Sequence, residues 1–450
     1  MIIVIIPFIV LLAIILIPKI PLVGGNIQAG LLITGLVALL MGGVINPVDW
    51  GLAWIDGVDR IAWVICLSVF GSVYAETQVE MGTMDTVINS LRALFGHSPK
   101  GLIISVMIAL TIAGSLLGDA IAASTVIGVL VIKSLAEMNL TGEQISATIV
   151  MGASLGSIMP PITQAIFLAA GLVGIEPDPV VNIGYFTVGV GVILCSIYVA
   201  NMFIKIKSLP EDLIPKETAG QIVRKNWPTL VPLFILILLV VLRTGFKIDV
   251  ITMVMGGFID IIKTIPIIKG FSNLIVLSII IVMVISFFFP RVRSQLGTVV
   301  GRGLVNVKTS FTVQVSAGLM LGAFYKAGQI EAVKTFALAL NQNLLKLGGS
   351  AALCLLGMLT GSQTTAQNAI FSFFGPALIE IGLDPVNVAV AGAHLAMSGQ
   401  GLPPADLTTF VVAGLVGGIL GIKVDPVKSM FYSAVMCIYF LIVGIVFLYI

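Results

Sequence analysis

Apolar residues in this chain come in long blocks separated by short polar stretches. Blocks near 2–17, 27–45, 61–75, 182–204, 229–242, 271–289 and 429–450 are long enough, or nearly so, to cross about 30 Å of hydrocarbon as helices. Membrane β-barrels show short alternating segments instead. The pattern predicts an all-α polytopic membrane protein. Four further apolar stretches do not read as uninterrupted helices. Gly-Ser and polar residues break 101–133 and 348–380, and double prolines break 145–175 and 386–420.

The breaks recur. Pro160-Pro161 to Gly174 aligns without a gap on Pro403-Pro404 to Gly417, with eight of fifteen positions identical. Gly71 to Glu80 matches Gly322 to Glu331, Gly114-Ser115 matches Gly361-Ser362, and Asp178-Pro179-Val180 matches Asp425-Pro426-Val427. The chain therefore reads as two membrane repeats, 1–205 and 228–450, joined by a polar linker, 206–227. Each repeat has three spanning helices, an interrupted stretch, a proline-broken helix and a last helix. Polar groups in the interrupted stretches cannot face lipid unsatisfied, so each is expected to be a re-entrant hairpin with its tip at the midplane. That leaves five crossings per repeat, an odd number, and the second repeat is expected to be inverted.

Composition agrees with the membrane reading. The chain is 58% hydrophobic and 10% charged, against about 25% charged in soluble domains. A net charge of +2 implies no nucleic acid or other large polyanion. The first block lacks a basic n-region and a cleavage site, so it is read as a retained helix. Lys205, Lys207, Lys216, Arg224 and Lys225 place the linker in the cytoplasm by the positive-inside rule. Segment 46–60, with Asp49, Asp56 and Asp59 against Arg60, then lies outside, as do the N-terminus and loop 175–181. Arg291, Arg293, Arg302 and Lys308 fall inside. Segment 248–268 is either an interfacial helix, as the count requires, or a further crossing. The four cysteines, isolated in apolar segments, are expected to pack in the core.

Two carboxylates stand within the membrane zone, Asp119 on the first interrupted stretch and Asp406 after the second double proline. A charge at that depth costs about 2.5–3.5 kcal/mol on insertion scales. Ion or proton coupling and capping of a half-helix both account for them. Hydroxyls and carboxamides cluster at the same breaks. Ser115, Ser157, Thr163, Gln164, Ser362, Thr364, Thr365, Asn368, Thr408 and Thr409 form the expected substrate-binding set. Each helix break frees carbonyls, which can replace water around Na⁺, and half-helix N-termini, which can hold an anion without Lys or Arg. Gly114, Asp119, Gly156, Gly361, Gly399 and Asp406 form the expected ion-coupling set. Pro160, Pro161, Pro403 and Pro404 make the breaks. His394 reads as packing or as a proton carrier, His97 as loop, and Tyr74 and Tyr325 as packing. No phosphate loop, His-Glu-x-x-His or Ser/His arrangement is present, so no enzyme is expected.

Gly114-Ser-Leu-Leu-Gly-Asp119-Ala-Ile-Ala-Ala-Ser124, followed by Leu155-Gly-Ser-Ile-Met-Pro160-Pro161, resembles the first signature of the large membrane subunit of TRAP transporters, in the ion transporter superfamily. Gly382-Leu-Asp-Pro-Val386 with Leu402-Pro403-Pro404-Ala-Asp-Leu-Thr-Thr-Phe410 resembles the second, with Leu402 where Thr is usual. The length, the N-terminal helix pair and Gly361-Ser362-Gln-Thr-Thr are also similar to gluconate-type permeases. The resemblance spans nearly the whole chain in layout and is specific in four short motifs. It implies an elevator-type carrier moving a small carboxylate with Na⁺, or with H⁺, and no other cofactor. A TRAP subunit would act with a small membrane subunit and an extracytoplasmic binding protein; a gluconate-type permease, a proton symporter, acts alone. The remaining helices are expected to form a scaffold and a homodimer surface in a prokaryotic inner or plasma membrane. An ion channel is the alternative of another class; it would need a continuous pore with rings of like residues.

Overall fold

The computed structural model describes residues 2–17, 19–244, 248–332, 335 and 341–450, and every regular element among them is helical. Seven segments are long and apolar enough to span: Ala62–Met81, Pro99–Leu117, Ala120–Glu137, Asp178–Met202, Ala219–Val240, Gln342–Thr360 and Pro426–Phe447. Shorter apolar helices, Ile27–Met41, Leu274–Phe287 and Leu407–Leu420 among them, stand between these. The chain is a multi-pass, all-α membrane protein.

Both interrupted stretches fold back on themselves. The first leg of each ends on a left-handed glycine, Gly118 (φ 67°) and Gly361 (φ 62°), and the next residue is extended. That conformation suits glycine, which has no β-carbon to clash. In the second hairpin Gly349 and Phe374, twelve residues before and after Gly361-Ser362, lie against each other, so the legs run antiparallel. In the first, Leu110 meets Gly152 and Gly128 meets Ile149, so both legs return to the same level of helix Gly142–Ile158. Both second legs carry a π-turn, Ser124–Gly128 and Gln367–Phe371.

The helix bounds put the two halves in one register, 243 residues apart. Pro99–Leu117 pairs with Gln342–Thr360, and Gly142 with Pro385 as the first helical residue of each broken helix. This corrects the sequence match of Gly114-Ser115 with Gly361-Ser362, which is one helical turn out. The equivalents of Gly361-Ser362 are Gly118-Asp119. Gly114 pairs instead with Gly357, and both sit in helix crossings. A β-carbon at Gly114 would lie 2.7 Å from Gly156 Cα, and one at Gly357 would lie 3.0 Å from Gly399 Cα. Small residues let membrane helices approach at this range.

A second layer stands on the long helix Leu296–Lys326, against which Ile27–Met41, Pro47–Arg60 and Ala62–Met81 pack, while Asp178–Met202 and Pro426–Phe447 pack on the broken helices. Segment 46–60 is a helix capped by Asn46 that runs back along this long helix. Asp49 meets Lys326 at 3.4 Å, and a β-carbon at Gly57 would lie 1.8 Å from Gly318 O. The linker is shorter than expected, since helix Ala219–Thr244 takes up 219–227. Within 248–268 the structure has a thirteen-residue helix, Val250–Ile262. At about 1.5 Å per residue it is too short to cross the bilayer alone.

Candidate functional site

Each broken helix stops at its double proline and restarts on a polar cap. Gly142–Ile158 and Gln164–Val173 flank the cis Pro160-Pro161 bond; Pro385–Gln400 and Leu407–Leu420 flank the cis Pro403-Pro404 bond. Proline cannot donate to a helix and disfavours helical backbone before it. Four half-helices thus begin inside the protein, and each has a side-chain cap. Asp119 accepts from Ala122 N (2.7 Å), Ser362 from Thr365 N (3.2 Å), and Thr163 from Ile166 N (3.4 Å). Asp406 accepts from Thr408 N (3.1 Å) and Thr409 N (3.2 Å), and from the Thr409 hydroxyl. In the common register Asp119 pairs with Ser362, and Thr163 with Asp406. One carboxylate therefore sits on a hairpin tip and the other on a broken helix.

Further bonds tie each tip to the break beside it. Ser115 Oγ donates to Pro160 O (2.6 Å), and Ile162 N donates to Ser115 O (3.2 Å). In the second half Gln363 N donates to Gln400 Oε1 (2.9 Å). Across the halves Gln367 Nε2 donates to Ala165 O (2.8 Å).

The four breaks meet on one cavity of about 610 Å³. Its hairpin side includes Gly118, Asp119, Gly361, Ser362, Gln363, Thr364 and Thr365; its broken-helix side is Ser157, Gln164, Gln400, Leu407 and Thr408. The facing wall comes from the second layer, through Ser72, Glu76, Asn306 and Thr309. Glu76 is held there by Arg302 (3.2 Å) and Asn306 Nδ2 (2.8 Å), and Arg302 also reaches Glu80 (2.7 Å). Among the described residues no group of three His, Cys, Asp or Glu is placed to hold a metal ion.

Of the residues singled out from sequence, Asp119, Ser157, Gln164, Gly361, Ser362, Thr364, Thr365 and Thr408 line the cavity. Ser115 and Thr163 stand behind it as a tie and a cap, as do Asp406 and Thr409. Asn368 Nδ2 donates to Thr364 O (2.9 Å) in the π-turn below the tip. Gly114, Gly156 and Gly399 lie in helix crossings. His394 is buried elsewhere, against Thr187 Oγ1 (2.9 Å) and Val390 O (2.7 Å). Tyr74 is fully buried, and Tyr325 lies under the Arg60 guanidinium at 3.9 Å. Gln363, Glu76 and Asn306 were not singled out as site residues. Gln363 shares its segment with four that were, Gly361, Ser362, Thr364 and Thr365, whereas Glu76 and Asn306 are 230 positions apart and carry no local signal.

No family model matches the chain, and no curated protein matches it. Solved structures do. It resembles the YdaH transporter of Alcanivorax borkumensis with a TM-score of 0.63 and 13% identity, over 88% of this chain and 86% of that one. It resembles MtrF of Neisseria gonorrhoeae, described among antimetabolite efflux pumps, with a TM-score of 0.56 and 12% identity, over 85% of this chain and 80% of that one. The chain shares the fold of these membrane transporters.

Proposed function

We propose that this chain is a secondary active transporter for a small organic anion, coupled to Na⁺ or H⁺. The observation that carries the reading is the meeting of four internal half-helix N-termini, from equivalent positions of the two halves, on one cavity. Capped helix starts offer an anion N–H groups and partial positive charge, and paired helix breaks mark transporter binding sites. The glycine crossings couple each hairpin to its broken helix, so residues 99–175 and 342–421 form the moving unit, and the layer on Leu296–Lys326 is the scaffold it moves against. The TRAP-like motifs support a carboxylate, and fold likeness to YdaH and MtrF supports transport rather than enzymatic chemistry. The likeness to MtrF, described as an efflux pump, favours export as the second reading.

The test is uptake into proteoliposomes holding only this chain, from a pool of labelled organic acids, with and without a Na⁺ or pH gradient. Gradient-driven accumulation is expected. Rates far above those of a carrier, without accumulation, would replace the reading with a channel. Loss of solute from preloaded vesicles under the opposite gradient would turn the direction to export.

A further inference from the structure

Among the described residues, the lining of the cavity carries two carboxylates, Glu76 and Asp119, and no Lys, Arg or His. The Glu76 charge is offset by Arg302 and its other oxygen is bonded to Asn306. Asp119 has no such offset. It is exposed to the cavity, it accepts hydrogen bonds from backbone amides of its own helix start, and no cation among the described residues pairs with it. The wall therefore presents one carboxylate with no cationic side chain beside it. The equivalent position on the other tip is Ser362, so the charge is on one side only.

A second, independent feature points the same way. Gln363 lines the same cavity at 7% exposure, and its carboxamide oxygen has no hydrogen-bond partner. Buried carbonyl groups are ordinarily paired. A donor is missing beside this oxygen, which lies just behind the wall's surface, and a positive charge is missing from the wall itself. A simple carboxylate supplies neither, because an ionised carboxylate only accepts, whereas an ammonium brings a positive charge and three donors. Resting on the transporter reading above, the geometry points to a solute that bears an ammonium group beside its carboxylate, with the ammonium at Asp119. The substrate class is then an amino acid or another zwitterionic amino carboxylate rather than a plain dicarboxylate.

The test uses matched pairs that differ only by an ammonium in place of a hydrogen: alanine and propionate, 4-aminobutyrate and butyrate, glutamate and glutarate. Each is offered to proteoliposomes of the full chain and of Asp119→Asn under the same gradient. A charge-assisted contact corresponds to about ten- to hundredfold in affinity, so the aminated member of at least one pair should accumulate by about that factor over its partner. Asp119→Asn, which keeps a capping acceptor, should bring the pair to near parity with unfolding temperature preserved. Preference for the deaminated members would overturn the inference and leave the carrier. So would a variant that lowers both members equally, which would give Asp119 to the coupling ion. Uptake of no member by folded protein would remove the carrier acting alone, and this inference with it.

Discussion

Asp406 is fully buried, and Thr408 and Thr409 occupy both its oxygens. Its observed work is to start helix Leu407–Leu420. Asp406→Asn, which can still accept from the Thr408 amide, is expected to keep gradient-driven accumulation. Asp406→Ala should cost about 0.5–2 kcal/mol of stability and lower uptake. Thermal unfolding and uptake measured together check both, and an Asn variant that folds but no longer accumulates solute would assign Asp406 to coupling. Glycines divide as sharply. A β-carbon at Gly399 would lie 2.3 Å from Cys354 O, while one at Gly414 meets nothing within 4 Å. Gly399→Ala should unfold at a clearly lower temperature. Gly414→Ala should be neutral, or more stable by at most about 1 kcal/mol. Both were glycines in apolar sequence, and only the neighbour 45 residues away tells them apart. The prolines, by contrast, act on their own backbone, and the breaks at 160 and 403 were legible from sequence for that reason.

At the scale of elements, the hairpins were legible because buried polar tips have few places to go in a membrane. Their register was not. The dipeptide Gly-Ser occurs one turn before the first tip and at the second, and identity drew the alignment to it. The left-handed glycines fix the pairing instead. Gly118→Ala meets Ile162 at 3.3 Å, and Gly361→Ala would place a β-carbon 2.0 Å from Ala405 O. Left-handed backbone costs a β-carbon-bearing residue about 1–2 kcal/mol, so both should destabilise, and Gly361→Ala should be the worse. Denaturation midpoints of the two variants, with uptake per folded protein, check the order. Equal effects would argue that the Ala405 contact relaxes. The facing wall was not legible, since Glu76 and Asn306 meet only when Ala62–Met81 crosses Leu296–Lys326.

Over the whole molecule, the two ends of the last helix in the first half are each tied down. Lys100 Nζ donates to Asn201 Oδ1 (2.7 Å) near one end, and Arg243 pairs with Asp178 at the other. The C-terminal end of Ala219–Thr244 thus returns to the N-terminal end of Asp178–Met202. If the linker is cytoplasmic, as its basic residues predict, Glu217→Cys should be labelled by an impermeant thiol reagent only from the inner side. Glu176→Cys should be labelled only from the outer side. Cys195, Cys354 and Cys437 are buried and should give little background. Labelling of both positions from one side would overturn the crossing count. One property of the tips bears on the molecule as a whole. Asp119 (φ −144°, ψ 132°) and Ser362 (φ −144°, ψ 112°) leave their glycines along nearly the same path. A solute that fits this repeated outline has two ways to lie in it, and a single carboxylate removes the degeneracy. Exchanging the two side chains, Asp119→Ser with Ser362→Asp, conserves composition and total charge and is expected to turn the preferred pose end for end.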